Sequence, residues 1–361
     1  MLDRILLAAE GLEAKDSGIG RVARLMARVL SDEYPSDSWS SVTLNDKNLV
    51  RFRNEKSFSA RGSRLKFVMQ VQTQALRSRV VLYDSLSMGR AHRLGPVRDR
   101  PYLVWMHGID VWEHARTAHM EVARRAEILV SNTHYTRDRA SALRNGLDHA
   151  HVCWLGTETD DMPSMQTITD DTPPTALLLA RIDKNSYKGH FELIRCWPEV
   201  VATVPGARLR LVGSGSGFDQ ISEVVRASRV ASQIDLLGYV PEDKMETAWR
   251  GVHTLVMPSR GEGFGLVYIE AMRRGIPVIA SVHDAGREIN VHGVTGYNVD
   301  QDNQGELTAA IVSLLTDQQR AAQFGASGQR RWHEHFTYSA FRSRFLPILR
   351  KALEGVERQR S

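Results

Sequence analysis

Short apolar runs alternate with amphipathic segments along almost the whole chain, and this alternation constrains the fold more than any other feature. The first run, residues 4–9, precedes a segment at 19–34 whose apolar residues recur at helical spacing. The pattern continues to about residue 154 and starts again at residue 176. A regular succession of strands and helices is typical of parallel sheets covered by helices. The sequence therefore predicts an α/β protein with two doubly wound sheets.

A polar segment separates the two regions of alternation. Residues 158–174 read ETDDMPSMQTITDDTPP and lack periodicity, which is the composition of a linker. At 361 residues the chain is long enough for two domains, each with its own core. We predict an N-terminal Rossmann-like domain at 1–157, a linker at 158–174, a C-terminal Rossmann-like domain at 175–335, and a C-terminal helix at 336–361 that could cross back to the first domain.

Composition excludes several classes of protein. The chain is 42% apolar and 25% charged, and it lacks the run of about 18 apolar residues that a membrane span requires. Its N-terminal residues resemble a first strand more than a signal peptide, so we expect a cytoplasmic protein. Cys153 and Cys196 are too few for a disulfide framework, and no Cys or His spacing resembles a zinc site. We expect no metal, no other cofactor and no nucleic-acid partner.

Positive charge is concentrated in the first half of the chain. Residues 1–157 contain 24 Lys and Arg against 17 Asp and Glu, a net charge of +7, whereas the remainder contains 23 against 25. Residues 47–79 alone contain nine basic residues and a single acid, Glu55. Such a stretch could form only a hydrated face, or it could bind an anionic membrane surface. The second interpretation predicts a peripheral protein on the inner face of the membrane.

The stretch 258–286 combines a glycine turn with two carboxylates. An apolar run ends at Pro258, a glycine-rich turn surrounds Glu262, and a helical pattern that contains Glu270 begins at about Gly265. Glycines allow backbone N–H groups to approach a ligand closely, and the first turn of a helix offers unpaired donors with a positive partial charge. Strand, glycine loop and helix in this order predict an anion-binding site.

Two cations follow another predicted strand of the same sheet. Arg181 comes just after the strand at 176–180, and Lys188 lies seven residues further on. Loops at the carboxyl ends of parallel strands meet at one edge of the sheet, where ligands of doubly wound proteins bind. Either cation alone would be read as a solvated surface charge. Together with the glycine loop they predict a diphosphate site that needs no metal.

Three further loops contain candidate residues. Gly18 and Gly20 lie at the start of the first predicted helix, and His107 follows the strand at 102–106. Gly213 is the first glycine of the segment LVGSGSG at 211–217. His107 could equally be a histidine of the core or of a turn. The glycines of 211–217 fit a simple turn as well as a ligand loop, because they do not form the pattern G-x-G-x-x-G.

The segment EGFGLVYIE at 262–270 resembles the E-x7-E motif of family 4 glycosyltransferases, which are retaining enzymes of GT-B fold. Similar segments of that family are found along most of the second half and at the linker: WLGTETD at 154–160, ARIDKNSYKGH at 180–190, LVGSGSG at 211–217, LGYVP at 237–241 and PVIASVHDAGREINVHGVTGYNV at 277–299. The resemblance is weaker in the first half. It implies two Rossmann-like doubly wound domains that face each other across a cleft.

The resemblance also implies residue roles. Glu262, Arg181, Lys188 and His107 would be catalytic: Glu262 would bind hydroxyls of the donor sugar, Arg181 and Lys188 would stabilise the diphosphate leaving group, and His107 would reach the sugar or the acceptor. Glu270 would accept hydrogen bonds from the ribose hydroxyls. The remaining donor-binding residues would surround the phosphates and the base: Gly263, Phe264, Gly265, Leu266, Gly18, Gly20, Gly213, Tyr239 and Val240.

The implied function is that of a retaining, metal-independent hexosyltransferase. It would move a hexose from a UDP- or GDP-sugar to a hydroxyl of a glycan or a polyprenyl-diphosphate-linked acceptor, in the assembly of a surface polysaccharide or glycolipid. No carboxylates are placed as a nucleophile and an acid across a glycosidic bond. We therefore expect the acceptor to attack from the face that the diphosphate leaves.

Other functions remain open. Tandem Rossmann-like domains also suit an NAD(P)-dependent oxidoreductase, although neither first loop carries G-x-G-x-x-G with an acid about 20 residues on. A catalytically silent subunit that only binds a nucleotide-sugar, or a hydrolysing sugar-nucleotide epimerase, would share the fold.

Overall fold

The computed structural model describes residues 4–13, 18–113, 115–163, 168–169, 171–185 and 187–358, with side chains up to Glu354. The predicted loop after the first strand and the predicted linker therefore fall partly outside the described residues. Contacts divide the chain into two compact units. The first comprises Met1–Thr159 and Thr337–Ser361, and the second comprises Asp160–Phe336.

Thirteen strands are found within the described residues. In chain order they are β1 (Arg4–Ala9), β2 (Trp39–Thr43), β3 (Lys56–Ser59), β4 (Ser78–Tyr83), β5 (Tyr102–Met106), β6 (Ile128–Ser131), β7 (His151–Val152), β8 (Thr175–Leu179), β9 (Arg208–Val212), β10 (Ile234–Gly238), β11 (Thr254–Val256), β12 (Val278–Ser281) and β13 (Gly296–Val299).

Thirteen α-helices connect or cover these strands in the same part of the chain. They are α1 (Gly18–Glu33), α2 (Arg64–Ala75), α3 (Leu86–Gly89), α4 (Thr117–Arg125), α5 (His134–Leu143), α6 (His190–Thr203), α7 (Phe218–Ala227), α8 (Met245–Trp249), α9 (Leu266–Arg273), α10 (Gly286–Ile289), α11 (Gln304–Thr316), α12 (Gln318–His335) and α13 (Tyr338–Arg358).

The first unit is built on one parallel sheet of seven strands in the order β3-β2-β1-β4-β5-β6-β7. β1 pairs with β2 on one side and with β4 on the other, so the strand order has a switch point between β1 and β4. All five residues of β5 are buried, because helices cover both faces of the sheet. The C-terminal helix α13 belongs to this unit. Its Phe341 and Phe345 pack on Trp105 of β5, with ring centroids 6.2 and 5.9 Å away.

The second unit contains six parallel strands in the order β10-β9-β8-β11-β12-β13. β8 pairs with β9 on one side and with β11 on the other, so this sheet has a switch point between β8 and β11. A separate core of aliphatic side chains and Trp197 lies between the sheet and helices that include α6 and α11. Each unit thus has its own core and its own switch point, where the loops after two adjacent strands diverge.

The alternation in the sequence predicted most of these elements. The helical segment predicted at 19–34 corresponds to α1, and the strand predicted at 102–106 coincides with β5. Strand β3 was missed because it is a short edge strand of sequence KSFS that buries little, so its residues show no apolar pattern. The four-residue helix α10 and strand β13 were also missed, since both are too short to show a period.

Candidate functional site

The candidate site of the second unit lies where the strand order of its sheet reverses. The segment 180–189 leaves the carboxyl end of β8, and the segment 257–265 leaves the carboxyl end of the adjacent β11. In doubly wound sheets the crevice between two such diverging loops is where ligands bind. The structure therefore brings the predicted Lys188 and Glu262 to the same switch point.

Lys188 and Glu262 form an ion pair. The Nζ atom of Lys188 lies 2.5 Å from Oε2 of Glu262, and the two side chains are 14% and 19% exposed. Burial opposes the charge on Glu262, but the Lys188 ammonium group and the amides of Phe264 and Gly265 hold the pKa of Glu262 below its usual value. Burial likewise opposes the charge on Lys188, while Glu262 raises its pKa. Both groups are therefore charged at neutral pH.

The backbone of Glu262 is fixed by the loop that follows β12. The amide of Glu262 donates to Oδ2 of Asp284 at 3.0 Å, and the carbonyl of Glu262 accepts from the amide of Ala285 at 3.1 Å. Asp284 is fully buried, and burial raises its pKa to about 6 against the hydrogen bonds that Ser259, Glu262 and Gly286 donate to it. Sequence reasoning assigned no role to Asp284, although an acid just beyond a buried strand was a signal for one.

The turn before α9 requires a glycine. Gly265 has a φ of 88°, in the left-handed region, and a Cβ at this position would overlap the ring of Tyr268. Phe264 is buried against Phe336, with ring centroids 6.0 Å apart. The amide of Phe264 donates to Oε1 of Glu262 at 3.4 Å, and the amide of Gly265 also bonds this carboxylate. The amides of Phe264 and Gly265, two of the residues predicted to bind the donor, thus bond Glu262, whereas Leu266 begins helix α9.

Arg181 is paired with an acid of its own loop, and its predicted role beside Lys188 stays a prediction. Its side chain is 76% exposed, and its Nε donates to Oδ1 of Asp183 at 2.9 Å. This bond raises the pKa of the guanidinium. The structure thus brings together Lys188 and Glu262, while Arg181 pairs with an acid of its own loop.

The glycine-rich loop at 213–217 packs directly on the segment after β8. A Cβ at Gly213 would overlap the carbonyl oxygen of Ala180, and one at Gly217 would lie 2.5 Å from that of Asp183. Close backbone packing therefore accounts for these glycines without a ligand. The amide of Gly213 donates to the carbonyl of Gly238 at 2.8 Å, which places the loop next to the predicted base-binding residues. Of these, Tyr239 is exposed and Val240 is half-buried.

Glu270 and Gly263 lie on either side of the turn. Glu270 is half-buried in the second turn of α9, and its carbonyl accepts from Nη1 of Arg274 at 3.1 Å. Gly263 is buried directly after Glu262. Glu262 and Glu270 are therefore held by one continuous element, a loop that leads into a helix. Their roles as ligands of a sugar and a ribose stay predictions.

The remaining candidates belong to the first unit. His107 follows β5, where its Nε2 lies 2.6 Å from the carbonyl oxygen of Asp84 and its amide donates to Oδ1 of Asp110 at 2.9 Å. Gly18 and Gly20 form the first turn of α1, Gly18 exposed and Gly20 buried. These three residues are accordingly positioned by the first sheet.

Asp84 is an acid that sequence reasoning missed. It follows β4 next to the switch point with β1, it is fully buried, and its Oδ2 accepts from the amide of Glu10 at 2.7 Å. Burial raises its pKa to about 8 despite hydrogen bonds from Glu10 and Ser85. The sequence feature that could have identified Asp84 is its position directly after the apolar run VVLY.

Neither a metal cluster nor a spanning helix is found among the described residues. Across these ranges, no group of three or more His, Cys, Asp or Glu side chains is arranged to hold a metal ion. Within the same part of the chain, no helix combines the length and apolar character that a bilayer crossing requires.

Comparison with known proteins finds a family match within the second unit. Residues 164–331 match the family model of glycosyl transferases group 1. The chain is 29% identical over 234 residues to a GDP-mannose-dependent alpha-(1-6)-phosphatidylinositol monomannoside mannosyltransferase of Mycolicibacterium smegmatis, a match that covers 60% of each protein. It is 31% identical over 152 residues to a poly(glycerol-phosphate) alpha-glucosyltransferase of Bacillus subtilis, which covers 41% of this chain and 22% of that protein.

A solved structure extends the likeness to both units. Anabaena Alr3699/HepE, solved in complex with UDP-glucose, matches with a TM-score of 0.77 at 17% identity and covers 96% of this chain and 99% of its own. At this identity the likeness concerns the fold, and it confirms the predicted GT-B architecture of two parallel-sheet units. The curated relatives are matched over only 22% and 60% of their lengths. Over residues 164–331, the second unit is therefore similar to the glycosyl transferases group 1, which supports the resemblance to glycosyltransferases seen in the sequence.

Proposed function

We propose that this protein is a glycosyltransferase that moves a hexose from a nucleotide-diphosphate sugar to a hydroxyl of a glycan or lipid-linked acceptor. The observation that carries the proposal is the Lys188–Glu262 ion pair at the switch point between β8 and β11, inside the region that matches the family model. A buried ammonium group suits a diphosphate, and a buried carboxylate suits sugar hydroxyls.

The chemistry is a substitution at the anomeric carbon of the donor. The bond from that carbon to the diphosphate oxygen breaks, and a bond to the acceptor oxygen forms. Lys188, with help from Arg181, stabilises the negative charge that develops on the diphosphate, which is where preorganised charges contribute most. An oxygen of the leaving phosphate takes the acceptor proton, so attack occurs on the face that the diphosphate leaves and the configuration is retained. Both cations belong to the protein, so the proposal includes no metal.

The relatives support the choice of donor and acceptor classes. One relative is named for GDP-mannose and phosphatidylinositol monomannoside, another for poly(glycerol-phosphate), and the solved neighbour contains UDP-glucose. UDP- and GDP-sugars are therefore the donors to test. Acceptors that carry glycans on a lipid or a polyol phosphate are the first choices, in line with assembly of a surface polysaccharide or glycolipid.

A donor screen tests the proposal. Purified protein is incubated with UDP-glucose, GDP-mannose and NAD, with and without EDTA, and release of UDP or GDP is measured together with thermal stabilisation. We expect one nucleotide-sugar to be consumed, and EDTA to have no effect. Stabilisation by NAD alone would favour the oxidoreductase instead. Lys188→Ala should abolish transfer, and full transfer by this variant would remove the assigned role of Lys188.

The stereochemistry has its own experiment. NMR of the first-formed product, recorded before mutarotation or secondary hydrolysis, reports the anomeric configuration directly. We expect the configuration of the donor. An inverted product would rule out attack on the face that the diphosphate leaves.

The basic stretch 47–79 is proposed as a contact with anionic membrane lipids. Within it, helix α2 exposes two apolar side chains one turn apart, Leu65 at 72% and Met69 at 61%, and the adjacent Arg64 and Lys66 are also exposed. An apolar strip flanked by cations suits the boundary between headgroups and acyl chains.

Vesicle flotation tests this contact. We expect binding to vesicles that contain phosphatidylglycerol, weakening as salt is raised. The double variant Leu65→Gln and Met69→Gln should bind less, whereas Leu143→Gln, at another exposed leucine of the first unit, should bind as wild type. If neither higher salt nor the double substitution weakens binding to the vesicles, the proposed membrane-contact surface is refuted.

A further inference from the structure

We propose that Asp284 is a positioning residue of the donor site, which holds Glu262 where it meets the transferred sugar. The inference rests on the function proposed for Glu262 and adds a residue that no motif of the sequence singled out. Asp284 itself is fully buried and acts through the backbone of Glu262.

One carboxylate ties two loops together. Oδ2 of Asp284 accepts from the hydroxyl of Ser259 at 2.5 Å and from the amide of Glu262 at 3.0 Å, while Oδ1 accepts from the amide of Gly286 at 2.9 Å. Ser259 and Glu262 follow β11, whereas Gly286 follows β12. A buried carboxylate is costly unless donors compensate for the water it has lost. Here three donors do so, and two of them belong to the loop that carries Glu262.

The backbone of Glu262 is held at both of its polar groups by neighbouring residues. Its amide donates to Asp284, and its carbonyl accepts from the amide of Ala285 at 3.1 Å. Its side chain is separately held by Lys188. A residue fixed at three points has little freedom to move, which is the condition for orienting a substrate. Loss of the Asp284 contact releases the amide of Glu262, so that its backbone is held only by the bond from Ala285.

Asp284 faces charged and polar groups from three neighbouring elements. It faces the carboxylate of Glu262 from the loop after β11, the ammonium group of Lys188 from the loop after β8, and the hydroxyl of Tyr268 from α9. The adjacent His283 instead pairs with Asp300, with Nε2 2.7 Å from Oδ1. An ionised carboxylate accepts more strongly from its three donors than a neutral carboxyl group does, because both of its oxygens then carry negative charge.

The substitution Asp284→Asn tests the role with minimal change in volume. An amide presents one acceptor and one donor, so at least one of the three N–H or O–H groups then faces an NH₂ group. Affinities for UDP and UDP-glucose, and for GDP and GDP-mannose, are measured by calorimetry in the wild type and the variant. We expect affinity for the free diphosphate to be unchanged and affinity for the sugar-nucleotide to fall by about tenfold. We expect kcat to fall by about 100-fold, as for a misplaced substrate contact.

A matched control separates positioning from general damage. Asn298 is buried in β13 of the same unit, where its Nδ2 donates to the carbonyl of Asn290 at 3.0 Å. Asn298→Ala should lower the Tm but leave the ratio of sugar-nucleotide to diphosphate affinity as in the wild type. If Asp284→Asn does not fold, Ser259→Ala removes one donor from Oδ2, and the same ratio should fall by a smaller factor.

The possible outcomes are distinct. A wild type that consumes none of the nucleotide-sugars refutes the proposed function itself. An active wild type whose affinity ratio is unchanged in a folded Asp284→Asn variant, or in Ser259→Ala if that is the variant that folds, refutes only the role of Asp284. A fall in the ratio that Asn298→Ala does not reproduce supports it.

Discussion

Replacing Lys188 by methionine removes one charge of the Lys188–Glu262 pair while keeping nearly the same length of side chain. The Glu262 carboxylate, which is 19% exposed in the wild type, then has only the amides of Phe264 and Gly265 as hydrogen-bond donors. Breaking a buried pair costs about 3–5 kcal/mol, and the residual exposure here favours the lower end, about 3 kcal/mol. For a unit of this size, that corresponds to a fall in Tm of roughly 6–12 °C.

The pH dependence of this loss can be worked out from the pKa shifts. In the wild type the pKa of Glu262 is lowered, so its pairing stabilises the protein above the usual carboxyl pKa and is lost as the pH falls through the lowered value. Without Lys188, burial raises the pKa of Glu262, so the carboxylate destabilises the variant increasingly as the pH rises. The stability gap between Lys188→Met and the wild type should therefore be widest near neutral pH and narrow towards about pH 4.5.

A double variant provides the control for this reasoning. Lys188→Met combined with Glu262→Gln removes both charges of the pair and leaves neither of them unpaired, so its stability should recover to within about 1 kcal/mol of the wild type. It should nevertheless show no transfer, because both proposed catalytic groups are gone. Hydrogen–deuterium exchange in peptides from β8, β11 and α9 reports the second unit selectively. Equal destabilisation of the single and double variants, or a gap that does not change with pH, would show that the charge pair is not what stabilises the loop.

Three further predictions concern the scaffold. Gly213 has a φ of 140°, and Gly213→Ala places a Cβ against the carbonyl oxygen of Ala180, so this variant should destabilise the second unit by about 1–3 kcal/mol or more in thermal unfolding. Gly206 has a φ of 84° and open space around it, so the control variant Gly206→Ala should lose less stability in the same assay. Asp84→Asn removes a buried acid with a pKa of about 8, so its Tm should exceed that of the wild type by an amount that grows from about pH 5 to pH 8; a constant difference would contradict this. Phe341→Ala should cost about 3–5 kcal/mol, because this fully buried ring stacks on Trp105, and urea unfolding measures the loss.

Segments with a strong hydrophobic period in the sequence form helices and strands in the structure. Helices such as α11 and α12 are long enough for apolar residues to recur at helical spacing, and the central strands are continuous apolar runs because both faces are covered. The edge strand β3 and the short β13 lack this signal. A strand of four residues at the edge of a sheet is specified by its partner's hydrogen bonds rather than by its own composition.

The sequence alone determined the doubly wound fold and identified Glu262, Lys188 and the glycine turn before α9 as candidates. These inferences depend on local patterns, namely periodicity and the spacing of chemically distinctive residues. Only the tertiary structure decided which candidates meet. It pairs Lys188 with Glu262, leaves Arg181 exposed beside Asp183, and buries Asp284 beneath Glu262. The physical reason is that strand order and loop packing join residues 22 and 74 positions apart in the sequence. A buried charge then pairs with whichever partner that packing supplies.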